Sequence, residues 1–155
     1  MKKFKSQAGF YLLEALVATL IFSIGIVGLV GIVGKFTTVQ SDSQYRAVAA
    51  NYATDIADAI FLNVPRSVST GDIDAAALAA YMHAASGSKC SFSGSGSSKS
   101  LVTDWIDQVG KALPGSGSDK IQIKSSGYNR LDITICWQGP ADNAVRQHVY
   151  SAYVN

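Results

Sequence analysis

A lone glutamate, two cysteines and two histidines are the residues of this chain whose types could do specific chemistry. Ten of the 11 acidic residues are Asp; the only Glu, Glu14, stands inside FYLLEALVATLIFSIGIVGLVGIV, residues 10–33, as its sole charge. A carboxylate a turn and a half into an apolar helix costs on the order of 1–3 kcal/mol unless it protonates, snorkels or meets a cation. Lys and Arg are absent between residues 6 and 34, and Lys5, nine positions away, lies beyond the i, i+4 neighbours of a helix. A cation for Glu14 therefore comes from another chain or from an amine made by cutting this one. The alternative is a glutamate that snorkels to lipid headgroups.

Cys90 and Cys136 are the only cysteines. In an oxidising compartment they are expected to form one disulfide, whose 47-residue loop contributes ~4 kcal/mol in the loop-entropy model. Two free thiols are the alternative. Catalysis finds little support, because there are only two histidines and no CxxC, HExxH, G-x-S-x-G or phosphate-binding loop. His83 has no second His, Cys or carboxylate at i+3 or i+4, and His148 reads as a surface partner of Tyr150 on a strand. No enzyme activity, cofactor or metal is expected.

The element that holds Glu14 is an apolar run from Phe10 to Val33, followed by Gly34 and Lys35. As a helix its 24 residues reach ~36 Å, more than a hydrocarbon core of ~30 Å. A cleavable secretory signal has a shorter apolar core and an A-x-A-like site, so this segment is expected to stay attached. Lys2, Lys3 and Lys5 precede it against Lys35 after it, which places the N-terminus in the cytoplasm and the rest of the chain outside. Gly25, Gly28, Gly31 and Gly34 recur every three residues and predict a groove for helix–helix packing. A bilayer helix merely softened by glycine is the plainer reading.

The string KSQAGFYLLEALVATLIFSIGIVGLVG resembles the class III leader and N-terminal helix of type IV pilins and pseudopilins: a basic leader ending in Gly, an aromatic residue, and Glu at the fifth place. The resemblance implies cleavage between Gly9 and Phe10 by a prepilin peptidase and N-methylation of Phe10. It also implies that Glu14 meets the new amino group of Phe10 in a neighbouring subunit. In a low-dielectric core such a pair is favoured over an unpaired charge. Tyr11 stands where the family commonly has Thr, and Leu13 where it often has Ile.

Beyond Lys35 the helical pattern continues, with Val48, Tyr52, Ile56 and Ile60 at i+4 spacing and Asp55 and Asp58 facing elsewhere. Pro65 ends it, so one helix is expected over residues 10–62, ~80 Å long. Asp72 or Thr70 is expected to cap a second helix, DAAALAAYMHAA, with Leu78 and Tyr81 as its core residues. Residues 86–100, with eight Ser and three Gly, read as a mobile surface loop. Ser100 is expected to cap a third helix, LVTDWIDQVGKAL, stopped by Pro114-Gly115.

Alternating stretches follow: Ile121 and Ile123; Leu131, Ile133, Ile135 and Trp137; Val145, Val149 and Tyr153. Turns at Gly127-Tyr128-Asn129 and Gly139-Pro140-Ala141-Asp142 make them an antiparallel meander. The expected class is α+β and pilin-like: a long N-terminal transmembrane and assembly helix packed on a C-terminal antiparallel sheet with additional short helices. Its divisions are a leader at 1–9, a membrane half at 10–34 and a periplasmic globular domain at 35–155.

DWIDQVGKALPGSG and LDITICWQGP further resemble minor pilins of the PilV type, where a Trp helix ending in Leu-Pro-Gly precedes a strand ending in Trp. That implies a subunit of a tip or priming complex that promotes pilus assembly. Its implied partners are other minor pilins, the major pilin, the prepilin peptidase, the inner-membrane assembly platform and membrane lipid. It would sit in the inner membrane and then in the surface pilus. A pseudopilin of a type II secretion system shares the N-terminal features, and a membrane-anchored adhesion or DNA-binding module is a third reading.

Composition bears on the last. The 155 residues suit one domain of ordinary size, and only 15% are charged. The net charge of +2 becomes −1 once residues 1–9, with three lysines and no acid, are removed. Residues 35–155 carry ten basic and ten acidic side chains, so a nonspecific phosphate footprint is not expected. A patch from Lys89, Lys99, Lys111, Lys120 and Lys124 remains conceivable on sequence grounds.

Overall fold

The computed structural model describes residues 8–68, 70–127, 130–140 and 142–153, with the side chains of residues 8, 9 and 34–39 left aside. Leader residues 1–7, the Tyr128-Asn129 turn and Ala141 lie outside them, as do the side chains of Gly34 and Lys35. The protein is α+β. Helix α1 runs Ala8–Asn63 and is followed by α2 (Ala75–Ala79), strands β1 (Ser86–Ser88) and β2 (Ser91–Ser93), α3 (Ser100–Ala112), and strands β3 (Ile121–Ser126), β4 (Arg130–Trp137) and β5 (Arg146–Tyr153). The chain divides into two compact units, one up to Gln40 and one from Ser41.

In the first unit α1 carries an apolar surface with nothing among the described residues packed against it. Phe10–Val33 has a mean hydropathy of 2.7 and is 0% buried, long and apolar enough to cross a membrane.

In the second unit the last part of α1 and α3 share one core with the sheet, whose order is β3-β4-β5, all antiparallel. The α1 line facing the core is Ala49, Ala53, Ile56, Ala57 and Ile60; Val48 and Tyr52 are half-buried flanks. Ile56 and Ile60 of the expected stripe thus enter the core, and Ala49 and Ala53 complete the line in place of Val48 and Tyr52, which pack at its edge. From α3, Val102, Trp105, Ile106 and Val109 enter the same core. Trp105 Nε1 donates to Tyr52 O at 3.0 Å and Tyr81 Oη to Asn63 O at 3.2 Å, the latter meeting one of the orphan carbonyls at the end of α1.

Strand β4 is buried on both faces. Leu131, Ile133, Ile135 and Trp137 face the core, while Asp132, Thr134 and Cys136 are buried on the other side. In β5, His148, Tyr150 and Ala152 lie opposite Ile135, Ile133 and Leu131, so they share the core-facing side. Val149 and Tyr153 of the expected alternating stretch share the opposite, outward side, at 52% and 63% exposure. The alternation was readable; which side faced in was decided by the register with β4.

Three local expectations are corrected. The second helix is five residues long and capped by Asp74, whose Oδ1 accepts from Ala76 N at 2.9 Å and Ala77 N at 3.2 Å. Thr70 instead accepts from Asp72 N. Alanine propensity is overridden past Ala80 because His83 pairs with Ile123, N to O at 2.9 Å both ways. In the third helix Ser100 is the first helical residue; Lys99 is the N-cap and makes no side-chain cap bond.

The third correction is the Ser/Gly stretch, which contains the β1–β2 hairpin, paired Ser86↔Ser93 to Ser88↔Ser91. Its two-residue turn puts Lys89 at φ +52° and Cys90 at φ +61°. Such a turn favours Asn-Gly and costs an ordinary residue ~1–2 kcal/mol. A disulfide from Cys90 to Cys136 of β4, Cα–Cα 5.8 Å, holds it in place.

Candidate functional site

Four side chains in the apolar run Phe10–Val33 can make hydrogen bonds: Tyr11, Glu14, Thr19 and Ser23. In the interior of the run Thr19 Oγ1 bonds to Ala15 O at 3.0 Å and Leu16 O at 2.9 Å, and Ser23 Oγ to Thr19 O at 2.7 Å. Hydroxyls that return to their own helix need nothing from outside, the usual solution where water is absent. Glu14 has no such recourse. Among the described residues it makes no hydrogen bond or ion pair. It stands in a shallow groove with Phe10, Leu13, Val17, Ala18 and Ile21, the i, i+3, i+4, i+7 pattern of a single helix face. A carboxylate framed by apolar side chains and a small Ala18 is suited to receive one cation together with an apolar surface.

The Gly9–Phe10 bond lies in the first turn of α1, which begins at Ala8. Amides there lack an intrahelical acceptor, so this turn is held by fewer bonds than the helix interior. Gly25, Gly28 and Gly31 lie on open helix surface, where a Cβ would meet nothing within 4 Å. Nothing among the described residues requires glycine there. At 100° per residue the three span 120° of the helix circumference, a broad smooth band rather than a narrow seam.

In the second unit the outer face of the sheet holds a polar network that the sequence did not reveal. Asp132 is 7% exposed; its Oδ1 accepts from Arg130 Nε at 2.8 Å and Ser151 Oγ at 2.6 Å, and its Oδ2 from Ser126 Oγ at 2.6 Å. Burial raises the carboxyl pKa, but the bonds from Ser126, Ser151 and Arg130, with the Arg130 charge, outweigh it and hold the group below the usual carboxylate range. The only hint in sequence was alternation, which puts 126, 130, 132 and 151 on one side of neighbouring strands. Asp42 near the start of this unit binds Arg46 at 2.9 Å and lies 3.9 Å from Arg146, which in turn reaches Asp142 at 3.4 Å.

His83 sits after α2 rather than on it and is buried. Its Nδ1 accepts from Ser97 N at 3.4 Å, which leaves the proton on Nε2, donated to Ser118 O at 2.9 Å. Ser118 Oγ, 3.2 Å from Nε2, therefore faces a donor and not a base. His148 is half-buried on the core-facing side of β5, with Tyr150. Among the described residues no three His, Cys, Asp or Glu side chains are placed to hold a metal ion.

The five lysines considered as a patch are divided. Lys99 lies over the Tyr81 ring at 5.3 Å, and Lys120 Nζ bonds to Cys90 O at 2.9 Å, whereas Lys89 and Lys124 line a common cavity. Comparison with known proteins finds no matching family model, no matching curated protein and no matching solved structure.

Proposed function

We propose that this chain is a minor subunit of a type IV pilus, of the PilV type, which promotes assembly by packing its N-terminal helix among those of other subunits. One observation carries the reading. Of the polar side chains inside the exposed apolar run, Thr19 and Ser23 are satisfied within the helix and Glu14 is not. A helix whose interior hydroxyls bond to its own backbone, leaving the Glu14 carboxylate and the Tyr11 hydroxyl near its start unmet among the described residues, is suited to a partner bringing one positive charge and an apolar surface.

The resemblance of residues 5–31 to prepilins supplies such a partner. Cleavage after Gly9 creates an amine on Phe10, later methylated, and Glu14 pairs with that amine in a neighbouring subunit. Until then residues 10–33 anchor the chain in the inner membrane, N-terminus inside, with the globular part periplasmic. Transfer from bilayer to filament keeps the apolar surface dry throughout, so it carries little hydrophobic penalty and the charge pair selects docking and register. The partners are other minor pilins and the major pilin, delivered by the assembly platform after the prepilin peptidase has acted. Nucleic acid is not among them.

The test is made in cells. Mass analysis of pilus-associated protein is expected to find methylated Phe10 at the N-terminus, and Glu14→Val to reduce pilus number and the content of this subunit. An intact Gly9–Phe10 bond in filaments, or unchanged incorporation of Glu14→Val, would overturn the proposal. Co-purification with secretion components instead of pilins would move the reading to a pseudopilin.

A further inference from the structure

The outer face of the sheet, opposite the core, carries a cavity of about 290 Å³ between β3, β4, β5 and the β1–β2 hairpin. Its charge is lopsided. Lys89 of the hairpin turn, Lys124 of β3 and Arg130 of β4 line it, against one carboxylate, Asp132. That carboxylate is already engaged by Arg130, Ser126 and Ser151. Lys89 and Lys124 make no hydrogen bond or ion pair among the described residues, whereas nearby Lys120 binds both Cys90 O and Asp119. Two uncompensated ammonium groups at one cleft favour an anion.

The rest of the lining narrows the choice. Gln122 spends both Nε2 protons on Ala84 O at 2.9 Å and Ser86 O at 3.1 Å, so its Oε1 remains an acceptor, and the exposed Gln147 offers a second amide. Phe92, half-buried, supplies an aromatic wall. Cations, amide groups and one aromatic surface suit a ring that is polar at its edge, apolar on its face and negatively charged at one substituent. The volume falls at the lower end of ligand pockets, room for one such ring and not for a chain of them. Nucleic acid fits poorly, since the unit's ten basic and ten acidic side chains provide no extended track of charge.

The cleft is also preformed. The Cys90–Cys136 bridge and the Gln122 bonds fix the hairpin over the sheet, and Gly87 at φ +89° lets β1 pass close to Ser91, where a Cβ would collide with Ser91 O. A site fixed before binding loses less entropy on occupation.

We propose that this cleft binds a single anionic sugar unit, a pyranose bearing a carboxylate, with the carboxylate between Lys89 and Lys124 and the ring against Phe92. The site is separate from the assembly reading and stands or falls without it.

The experiment uses the full chain, isotope-labelled, in detergent micelles, titrated at constant ionic strength with sodium glucuronate, glucose and sodium sulfate. Glucuronate is expected to give saturable shifts confined to the amides around Lys89, Phe92 and Lys124. Glucose and sulfate are expected to bind at least tenfold more weakly. Lys89→Gln combined with Lys124→Gln should weaken glucuronate at least tenfold, and Lys89→Gln alone, at an exposed turn, about threefold; Lys111→Gln on α3 should change nothing. Unaltered Trp105 and Trp137 indole signals establish that each variant is folded. Shifts that do not saturate, equal binding of glucose, sulfate binding as tightly as glucuronate, or unchanged affinity in a folded Lys89→Gln variant would each overturn the proposal.

Discussion

Ser151 lies directly opposite Asp132 in the β4–β5 ladder and donates its hydroxyl to Asp132 Oδ1 at 2.6 Å. With Arg130 and Ser126 it keeps a buried carboxylate ionised on the middle strand of the sheet. Because the folded pKa is depressed, the unfolded chain binds its proton first as pH falls. The stabilisation is complete above the ordinary value of 3.8 and is lost as pH drops through it towards the lower folded value. Thermal melts should therefore show a declining Tm below about pH 4. Asp132→Asn should lower stability at pH 7 by on the order of 1–3 kcal/mol, the worth of charged hydrogen bonds, and shrink that acid decline. An identical acid limb in the variant would show that Asp132 is not its source.

Ala53 is 0% exposed on the α1 line that meets the sheet. Ala53→Leu is expected to cost ~1–3 kcal/mol by overpacking, although leucine is the more apolar residue. On the opposite side of the argument, Ile60→Ala should cost ~2–5 kcal/mol by leaving a cavity. Urea unfolding followed by near-UV circular dichroism measures both. A neutral or stabilising Ala53→Leu would mean that α1 has room to spare above the sheet.

The bridge between Cys90 and Cys136 has a sequence separation of 46. Its removal by Cys90→Ser with Cys136→Ser should cost ~4 kcal/mol in the loop-entropy model. The turn at Lys89-Cys90 should relax from its left-handed conformation, visible as faster amide exchange in β1 and β2. Alkylation of the wild-type protein without reductant is expected to label no thiols; two labelled thiols would refute the bridge.

Thr19→Val combined with Ser23→Ala removes only bonds that the helix makes to itself. On the pilus-subunit proposal, membrane retention and filament incorporation of this double variant should match wild type. Glu14→Gln, which keeps size and polarity but loses the charge, should incorporate poorly. Equal defects in the two variants would argue that general helix polarity, and not the charge on Glu14, governs assembly.

The sequence made the broad architecture legible because its two signals are strong and local. An uninterrupted apolar run and a 3.6-residue period announce α1, and alternation around Ile133 and Ile135 announces β4. What escaped was set by distant partners. The short α2 ends where His83 is claimed by Ile123, and the hairpin turn at Lys89-Cys90 contains none of the residues that normally mark such turns. Alternation with Ile135 and Trp137 is enough to put Cys136 on the side away from the core, yet nothing local says that residues 86–93 are paired strands above it. Glu14 could be singled out from composition alone, since its significance lies in what its neighbours lack. The Asp132 network could not, because Ser126 and Ser151 join it only through strand pairing.

Cys136, at 0% exposure on the middle strand, lies beneath the hairpin to which it is joined. An oxidant must reach it before the hairpin settles, since thiol exchange requires access to the sulfur. Folding and oxidation are therefore in a race. A chain whose sheet closes first is left with a thiol sealed from the enzyme that would oxidise it, whereas a chain oxidised first carries a bond that reductants can no longer approach. The order of events during maturation would leave a permanent record in every copy of the chain.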